Sequence, residues 1–535
     1  MAESDQKLIE KLKSMRLDVN WEVEDERFEF IRQFESLIEH RVLPHPNLRD
    51  IFSPVEIERI IKESINYTCG PVIGFVINSG YTDEPVVDED GKLSPHRTTA
   101  LHHVAEHWPF RKNQAIREIF RIYNRCDVNY IDEFGLSHFH LACKYGCKEV
   151  AEKFLRVGQD PNCLVEKTGD SALHLALVES DKQMTELLLR NGADPNLSNA
   201  KDETPLHVIC KSYFDDSVAK LFFEINEDLD KSVRVDARDK QGNTPLHSLL
   251  LGCGNKKTME LLLRRGADPN LANAEGQTPL HVLCQMYQEL DGELAKFFFE
   301  VNREIGQTVQ IDLRDKLGRT PLQLAVASFL PRVVDVLLDW GADPSSFVFP
   351  TESHLDESFE NWPLNEFLNR KLRLASGLLA ALECLEKRGY QLDRRDALAV
   401  MGIFAKYEFF QTSTDLNEWF RVDREFAEEA RRQMIIPSLS LYELVHLRPE
   451  EEDKLLAYTD YFDFTRSPVM WKLFQGPKKD YTLHLVEIMS RGFFRRWALD
   501  PFRELIHNRL PIECCDMVIE NLKNKDLYNI CLAAI

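Results

Sequence analysis

The chain has 535 residues, more than a single hydrophobic core usually organises, so several domains or an extended array are expected. Hydrophobic residues make up 44% and aromatics 10% of the sequence, which excludes wholesale disorder. The formal net charge of -22 opposes a phosphate backbone and excludes nucleic acid as the primary ligand.

The opening "MAESDQKLIEKLKS" lacks the apolar run of a secretory signal, and "SGLLAALECL" is too short and too closely flanked by charge to cross a bilayer. No membrane partner is expected, and the predicted location is intracellular, in the cytoplasm or the nucleus. Twelve cysteines, Cys69 to Cys531, are scattered without the dense spacing of a disulfide scaffold and read as reduced thiols.

In chain order, residues 1–49 read as a helical cap. Ser53, Pro54 and Glu56 then form a helix-start capping box, and "VIGFVINSGYTDEPVVDEDG" imitates a second helix, a glycine and a finger-like loop. A degenerate repeat is expected from about residue 50 to 95. Seven related segments follow: "TALHHVA" from Thr99, "SHFHLAC" from Ser137, "SALHLAL" from Ser171, "TPLHVIC" from Thr204, "TPLHSLL" from Thr244, "TPLHVLC" from Thr278 and "TPLQLAV" from Thr320. Their spacings are 38, 34, 33, 40, 34 and 42 residues.

Each piece has a local role. The Thr or Ser caps a first helix, and proline fits its first turn because its missing N–H had no helical partner there. Leu101, Leu173, Leu206, Leu246, Leu280 and Leu322 supply apolar knobs, and stretches such as "TMELLLRR" supply a second helix. Gly192, Gly266 and Gly341 end those second helices, and Asp-Pro-Asn turns the chain. Helices this short are marginal alone and must shield one another. The units from Thr99, Thr204 and Thr278 lack the Gly-Ala-Asp-Pro turn, and "KLFFEIN" and "KFFFEVN" in the last two point to a duplicated pair.

Period, turns and caps together resemble the ankyrin repeat. The resemblance covers residues 97 to 348 and implies an all-α solenoid of about seven repeats plus the degenerate one, spanning 50–348, with finger loops and a concave face that bind proteins. Arg238, Lys240, Arg314 and Lys316 in the long fingers are the candidate target contacts.

The repeat histidines His102, His140, His174, His207, His247 and His281 recur in separate units, whereas a metal set must converge on one point, so they read as structural. Gln323 holds the position in the last unit. His103 and His107 lack the glutamate placement of a zinc-protease helix, Cys143 and Cys147 lack a second pair, and "GCGNKKT" at 252 to 258 reads as a turn between helices. No metal, no cofactor and no catalytic residue are expected, and the chain reads as a non-enzyme.

Beyond 348 the period stops. A helical region over 349–436 leaves open whether it extends the stack or stands apart. In the final stretch "LPIECCDMVIENLKNKDLYNICLAAI", Cys515, Val518, Ile519 and Leu522 share a helical face, and Asn524 is expected to cap a second helix containing Leu527 and Ile530. On these residues alone the ending is an amphipathic hairpin, which packing against a core would explain. Leu510, Pro511, Glu513, Val518, Ile519, Leu522, Asp526 and Leu527 also resemble the start of an F-box. After "SLYELVHLRPEEEDKLL", residues 437–535 are similar to the PRANC domain that follows ankyrin repeats in poxvirus and some insect proteins.

That resemblance implies a substrate receptor of an SCF-type cullin-RING ubiquitin ligase. The repeats would hold a target protein, and Leu510, Pro511, Glu513, Val518, Ile519 and Leu522 would bind a Skp-family adaptor, with some of the aliphatic residues holding the hairpin itself. Cys514 and Cys515 replace the family's larger leucines, and the segment is shorter than a full F-box, which implies weak adaptor binding or support from residues 437–509. The alternative is an ankyrin scaffold or sequestering inhibitor without ligase recruitment.

Overall fold

The computed structural model describes every residue except 1–2, 39–45, 68–70, 86–93, 108–111, 213–215, 253, 287–290, 362–369, 411–419, 422–423, 448–450, 452–453 and 467–480. The predicted finger from residue 86 onward, and Cys253 of the glycine-rich turn, therefore lie outside the described residues. Two compact units divide the chain, Met1–Ala267 and Asp268–Ile535.

In the first unit α1 (Glu3–Asp18) and α2 (Glu24–Ile38) precede the helix pairs α3 (Pro54–Tyr67) with α4 (Pro71–Asn78) and α5 (Ala100–His107) with α6 (Lys112–Ile119). Next come α7 (His138–Lys144) with α8 (Lys148–Arg156) and α9 (Ala172–Val178) with α10 (Lys182–Arg190). The unit closes with α11 (Pro205–Lys211) beside α12 (Asp216–Asp228) and α13 (Pro245–Leu251) beside α14 (Lys256–Arg264).

First helices stack on first helices, α7 on α9, α9 on α11 and α11 on α13, while α10 meets α12 and α12 meets α14. Leu101, Leu173, Leu206 and Leu246 are completely buried in that stack. A helix of seven residues cannot hold itself together in water, so this sideways burial is what makes the pairs stable.

The second unit repeats the scheme with α15 (Pro279–Leu283), α16 (Asp291–Glu304), α17 (Pro321–Ala327) and α18 (Pro331–Asp339). Then α19 (Glu352–Asn361) lies against α17, and α20 (Arg370–Lys387) runs along α18. After them come α21 (Arg394–Lys406), α22 (Arg424–Arg432), a two-stranded antiparallel hairpin of β1 (Met434–Ile436) and β2 (Leu439–Ser440), and α23 (Leu441–His446). The unit ends with α24 (Tyr458–Arg466), α25 (Tyr481–Leu505), α26 (Ile512–Ile519) and α27 (Asn524–Ala533). Helix α20 is buried along most of its length, against α18, α24 and α25.

The caps follow the sequence. Ser53 and Glu56 make the expected box, with the Ser53 N–H and hydroxyl both donating to Glu56 Oε2 at 2.7 Å. At the second repeat a histidine, His138, stands where the units from Thr204 onward have proline. Its Nε2 lies 2.8 Å from the Thr99 hydroxyl, inside a buried ring of Phe120, Tyr123 and Tyr130. Arg97 closes this junction, donating to Asp83 at 2.9 Å and to Glu58 at 3.0 Å. Charge-assisted bonds of this kind satisfy carboxylates that burial would otherwise penalise.

Successive fingers approach closely enough that some turn glycines have no room for a Cβ, although Asp202 takes the positive-φ place in one finger at φ 59°. Gly169 has φ +68°, and a Cβ added there would stand 2.4 Å from the Ala200 amide nitrogen. Gly169→Ala should therefore cost about 3 kcal/mol or more, combining left-handed strain with a backbone clash. Gly158→Ala, at φ +94° with nothing within 4 Å, should cost only the strain, about 1–2 kcal/mol. The shifts in chemical unfolding midpoint of the two variants check the difference.

Candidate interaction surfaces

The repeat histidines are bifunctional spacers. In each of six units the backbone N–H of the capping Thr or Ser donates to Nδ1 of the histidine three residues on, at 3.1–3.2 Å (His102, His140, His174, His207, His247, His281). Because Nδ1 accepts, the proton sits on Nε2. That nitrogen donates to the carbonyl just ahead of the next cap: His102 to Leu136 at 2.9 Å, His174 to Glu203 at 3.0 Å, His207 to Asn243 at 3.0 Å and His281 to Arg319 at 3.2 Å. His140 differs, its Nε2 donating at 3.0 Å to the Cys163 carbonyl, well before the Ser171 cap.

Burial favours this neutral form. It pushes His102 down to about 4 and lowers His140, His174, His207 and His281, while His138 lies well below the ordinary imidazole value. Among the described residues no three His, Cys, Asp or Glu side chains are grouped to hold a metal ion. Gln323 reproduces the bridge without a titratable group, accepting from the Thr320 N–H at 2.9 Å and donating to the Val348 carbonyl at 2.7 Å.

The four finger cations are exposed, but two of them also serve their own turns. Arg238 Nη1 donates to the Gly242 carbonyl at 3.3 Å, and Arg314 Nη1 donates to the Gly318 carbonyl at 2.8 Å. Their guanidinium groups brace the turn, a role the sequence reading did not assign. The Lys240 and Lys316 backbone amides reach the preceding finger, at Lys201 and Glu275, leaving their side chains pointing into solvent.

The terminal hairpin is held down by polar hooks. Pro501 lies inside α25 and has no N–H for the Trp497 carbonyl one turn back. The Cys531 thiol of α27 takes that carbonyl at 3.4 Å. Arg491 donates to the carbonyls of Glu520 and Leu522, which have no helical partner at the end of α26, and Arg495 pairs with Asp516 at 3.1 Å. Asn524 is the first residue of α27 rather than its cap; its side chain is buried and donates to the Glu487 carbonyl and the Ser490 hydroxyl. The sequence reading missed this because a helix-start asparagine is spelled the same way whether it caps its own helix or ties it to another.

Cys515, Ile519, Leu527 and Cys531 face inward. Of the face expected to pack, Val518 departs: it is 43% exposed, because α26 turns only the Cys515–Ile519 edge toward α25. Leu510, Pro511 and Glu513 also lie outward, and Leu522 is half-buried. Ile512, at 43%, and Met517, at 67% exposure, are further exposed apolar residues of α26, outside the set that resembles an F-box. The signal for Met517 was its place beside Cys514 and Val518 on one helical face; Ile512 falls on the Cys515–Ile519 side and is exposed at the first turn.

Similarity to known proteins agrees with the helix pairs. The family model for ankyrin repeats matches in three overlapping copies, residues 101–199, 179–273 and 248–347. A "probable serine/threonine-protein kinase" of Dictyostelium discoideum is 32% identical over 144 residues, 26% of this chain and 16% of that protein. A "putative ankyrin repeat protein" of Rickettsia bellii is 28% identical over 173 residues, 29% of this chain and 47% of that protein. The chain thus spans less than half the length of either. The crystal structure of the ankyrin repeat domain of Bcl-3, a member of the IkappaB family, aligns at TM-score 0.32 and 20% identity over 41% of this chain and 96% of that one. Among the described residues no helix is long and apolar enough to cross a membrane.

The histidine bridges set a pH dependence. The unfolded chain binds a proton at each imidazole below about pH 6.5, whereas the buried folded ones do not. Stability is therefore full above that pH and falls as pH drops toward the lowered folded values, by about 1.4 kcal/mol per pH unit for each histidine that stays neutral. His207→Gln, imitating Gln323, should fold at pH 7.5 and lose less stability than wild type between pH 6.5 and 5.5. Thermal midpoints across that range test it.

Proposed function

From the premise that residues 101–347 carry ankyrin repeats, a protein–protein interaction module, we propose that the chain is a non-catalytic substrate receptor of an SCF-type cullin-RING ubiquitin ligase, acting inside the cell. The repeats hold the target protein and the terminal hairpin recruits a Skp-family adaptor.

What supports the reading is the set of exposed apolar residues on and just before α26. A hairpin that merely capped the domain would turn its large apolar side chains inward, yet Met517 and Val518 on one face of α26, Ile512 at its first turn and Leu510 just before it are each more than 40% exposed, on a hairpin that α25 holds. Rigid presentation of an apolar helix face suits docking in a partner's groove, since little ordering entropy remains to be lost. Glu513 in the first turn of α26 complements the helix dipole. Ile519 is buried, so its part is to hold the hairpin, and direct adaptor contact falls to Leu510, Pro511 and Val518. Cys514, exposed where a leucine is usual, forgoes about 1 kcal/mol of apolar burial and makes adaptor affinity modest.

Purified Skp-family adaptor should be captured by the full chain and lost by more than about tenfold in Leu510→Asp/Pro511→Ala. Met517→Ser/Val518→Ser, which touches no buried position, should weaken capture without moving the thermal midpoint. Equal capture by wild type and both folded variants would leave the alternative, a scaffold or sequestering inhibitor that binds its target without ligase recruitment.

A further inference from the structure

Within each unit the fingers are joined by backbone rungs, and in the second unit the last rung is vacant. In the first unit the Lys167 N–H donates to the Phe134 carbonyl at 3.0 Å, Ala200 to Thr168 at 2.9 Å and Lys240 to Lys201 at 2.9 Å; in the second unit Lys316 donates to Glu275 at 3.0 Å. Each acceptor immediately precedes the positive-φ residue of its finger, Gly135, Gly169, Asp202 or Gly276. In the finger 315–319 the corresponding carbonyl belongs to Leu317, ahead of Gly318 at φ +78°. Among the described residues no N–H meets it.

The glycine cradles report the same vacancy. A Cβ on Gly135 would stand 2.4 Å from Glu166, and one on Gly276 would stand 2.8 Å from the Lys316 nitrogen, because the next finger fills those places. A Cβ on Gly318 would meet nothing within 4 Å. The cause is in the sequence. From Gly341 to the next cap at Thr351 the chain is two residues shorter than from Gly266 to Thr278, and it lacks an Asx-x-x-Gly turn. Asp343 folds Pro344–Ser346 into a short 3-10 turn instead, so no further finger is built.

The open finger is preformed. Asp315 Oδ1 accepts from the Leu317 and Arg319 amides at 3.0 and 2.8 Å. The side chain of Leu317 is 67% exposed, with Arg314 and Lys316 exposed beside it. Arg319 pairs with Asp315 at 2.8 Å and lies 3.7 Å from Glu357, and the exposed charges of the finger itself, beside Leu317, are the cations Arg314 and Lys316.

We propose that this open end of the finger ladder, Arg314 to Gly318, docks an acidic turn or extended segment of a partner protein. The segment would supply one backbone N–H to the Leu317 carbonyl, an apolar side chain over Leu317, and carboxylates to Arg314 and Lys316. Main-chain addition to a preformed edge gives affinity, and the flanking charges give selectivity. The inference rests on the repeats being a protein-binding module and is independent of adaptor recruitment through α26.

The test is selection of short random displayed peptides on the full chain, counter-selected on Leu317→Asp/Lys316→Glu, two exposed positions whose change should leave the thermal midpoint in place. The expected result is an acidic consensus whose peptides bind wild type at least about tenfold more tightly than the variant and slow amide exchange at residues 315–319. Leu317→Ala alone should give an intermediate loss. Absence of any peptide that distinguishes the two proteins, a basic or neutral consensus, or protection elsewhere would overturn the assignment. So would concentration-dependent self-association abolished by Leu317→Asp, which would make a second copy the occupant. None of these results bears on capture of the adaptor by the hairpin, so the two readings fail separately.

Discussion

Everything in the repeat region depends on one hydrogen-bonded constraint: a neutral ring nitrogen pair that faces both ways. Nδ1 of His207 closes its own helix cap at Thr204, and Nε2 reaches the Asn243 carbonyl, just ahead of the next unit. Each short helix is thereby started and registered against its neighbour by the same side chain. The apolar knobs supply most of the free energy, but they are non-directional; the imidazole fixes where one pair sits on the next. Full burial at 0% makes the bridge more rigid, because a lost partner would leave a polar atom unsatisfied in a dry site.

Much of this was legible in the sequence because ankyrin units state their structure locally. A cap such as Thr204-Pro205, a knob such as Leu206 and a terminating glycine such as Gly192 are each determined within one or two turns of chain. What could not be read is what depends on direction across the fold. Val518 and Ile519 are adjacent and equally apolar, yet one is solvated and one is enclosed, because the choice is made by how α26 meets α25. The Cys531 thiol on the carbonyl left free by Pro501 is likewise invisible without both helices in place. His138 in place of proline was spelled plainly, but its meaning needed Tyr123, Tyr130 and Arg97 around it.

The duplicated pair shows how a shared scaffold acquires different surfaces. In the earlier copy Arg265 lies over the Phe223 ring, 4.8 Å from its centroid, and pairs with Glu227. In the later copy Trp340 takes the place of that arginine and stacks on Phe299 at 5.1 Å, while Arg303 lies over Trp340 at 4.9 Å. The packing role of the aromatic is kept and the cation moves to the other helix. Surfaces of the two copies therefore differ in charge although their cores match, and that is the freedom a binding array uses to choose its guests. In the terminal hairpin an inward edge, Cys515 and Ile519, fixes α26, while Met517 and Val518 stay exposed.

The most direct measurement is the tautomeric state of the repeat histidines by long-range proton–nitrogen NMR of the full chain selectively labelled at histidine. If these side chains are the two-way bridges between units, His140, His174, His207 and His281 will all be neutral with the proton on Nε2 at about pH 7.5 and will take up a proton only at lower pH than a solvated imidazole. Protonation on Nδ1, or an imidazolium population appearing at the value of a solvated histidine, would contradict the bridge and with it the ordering of the stack.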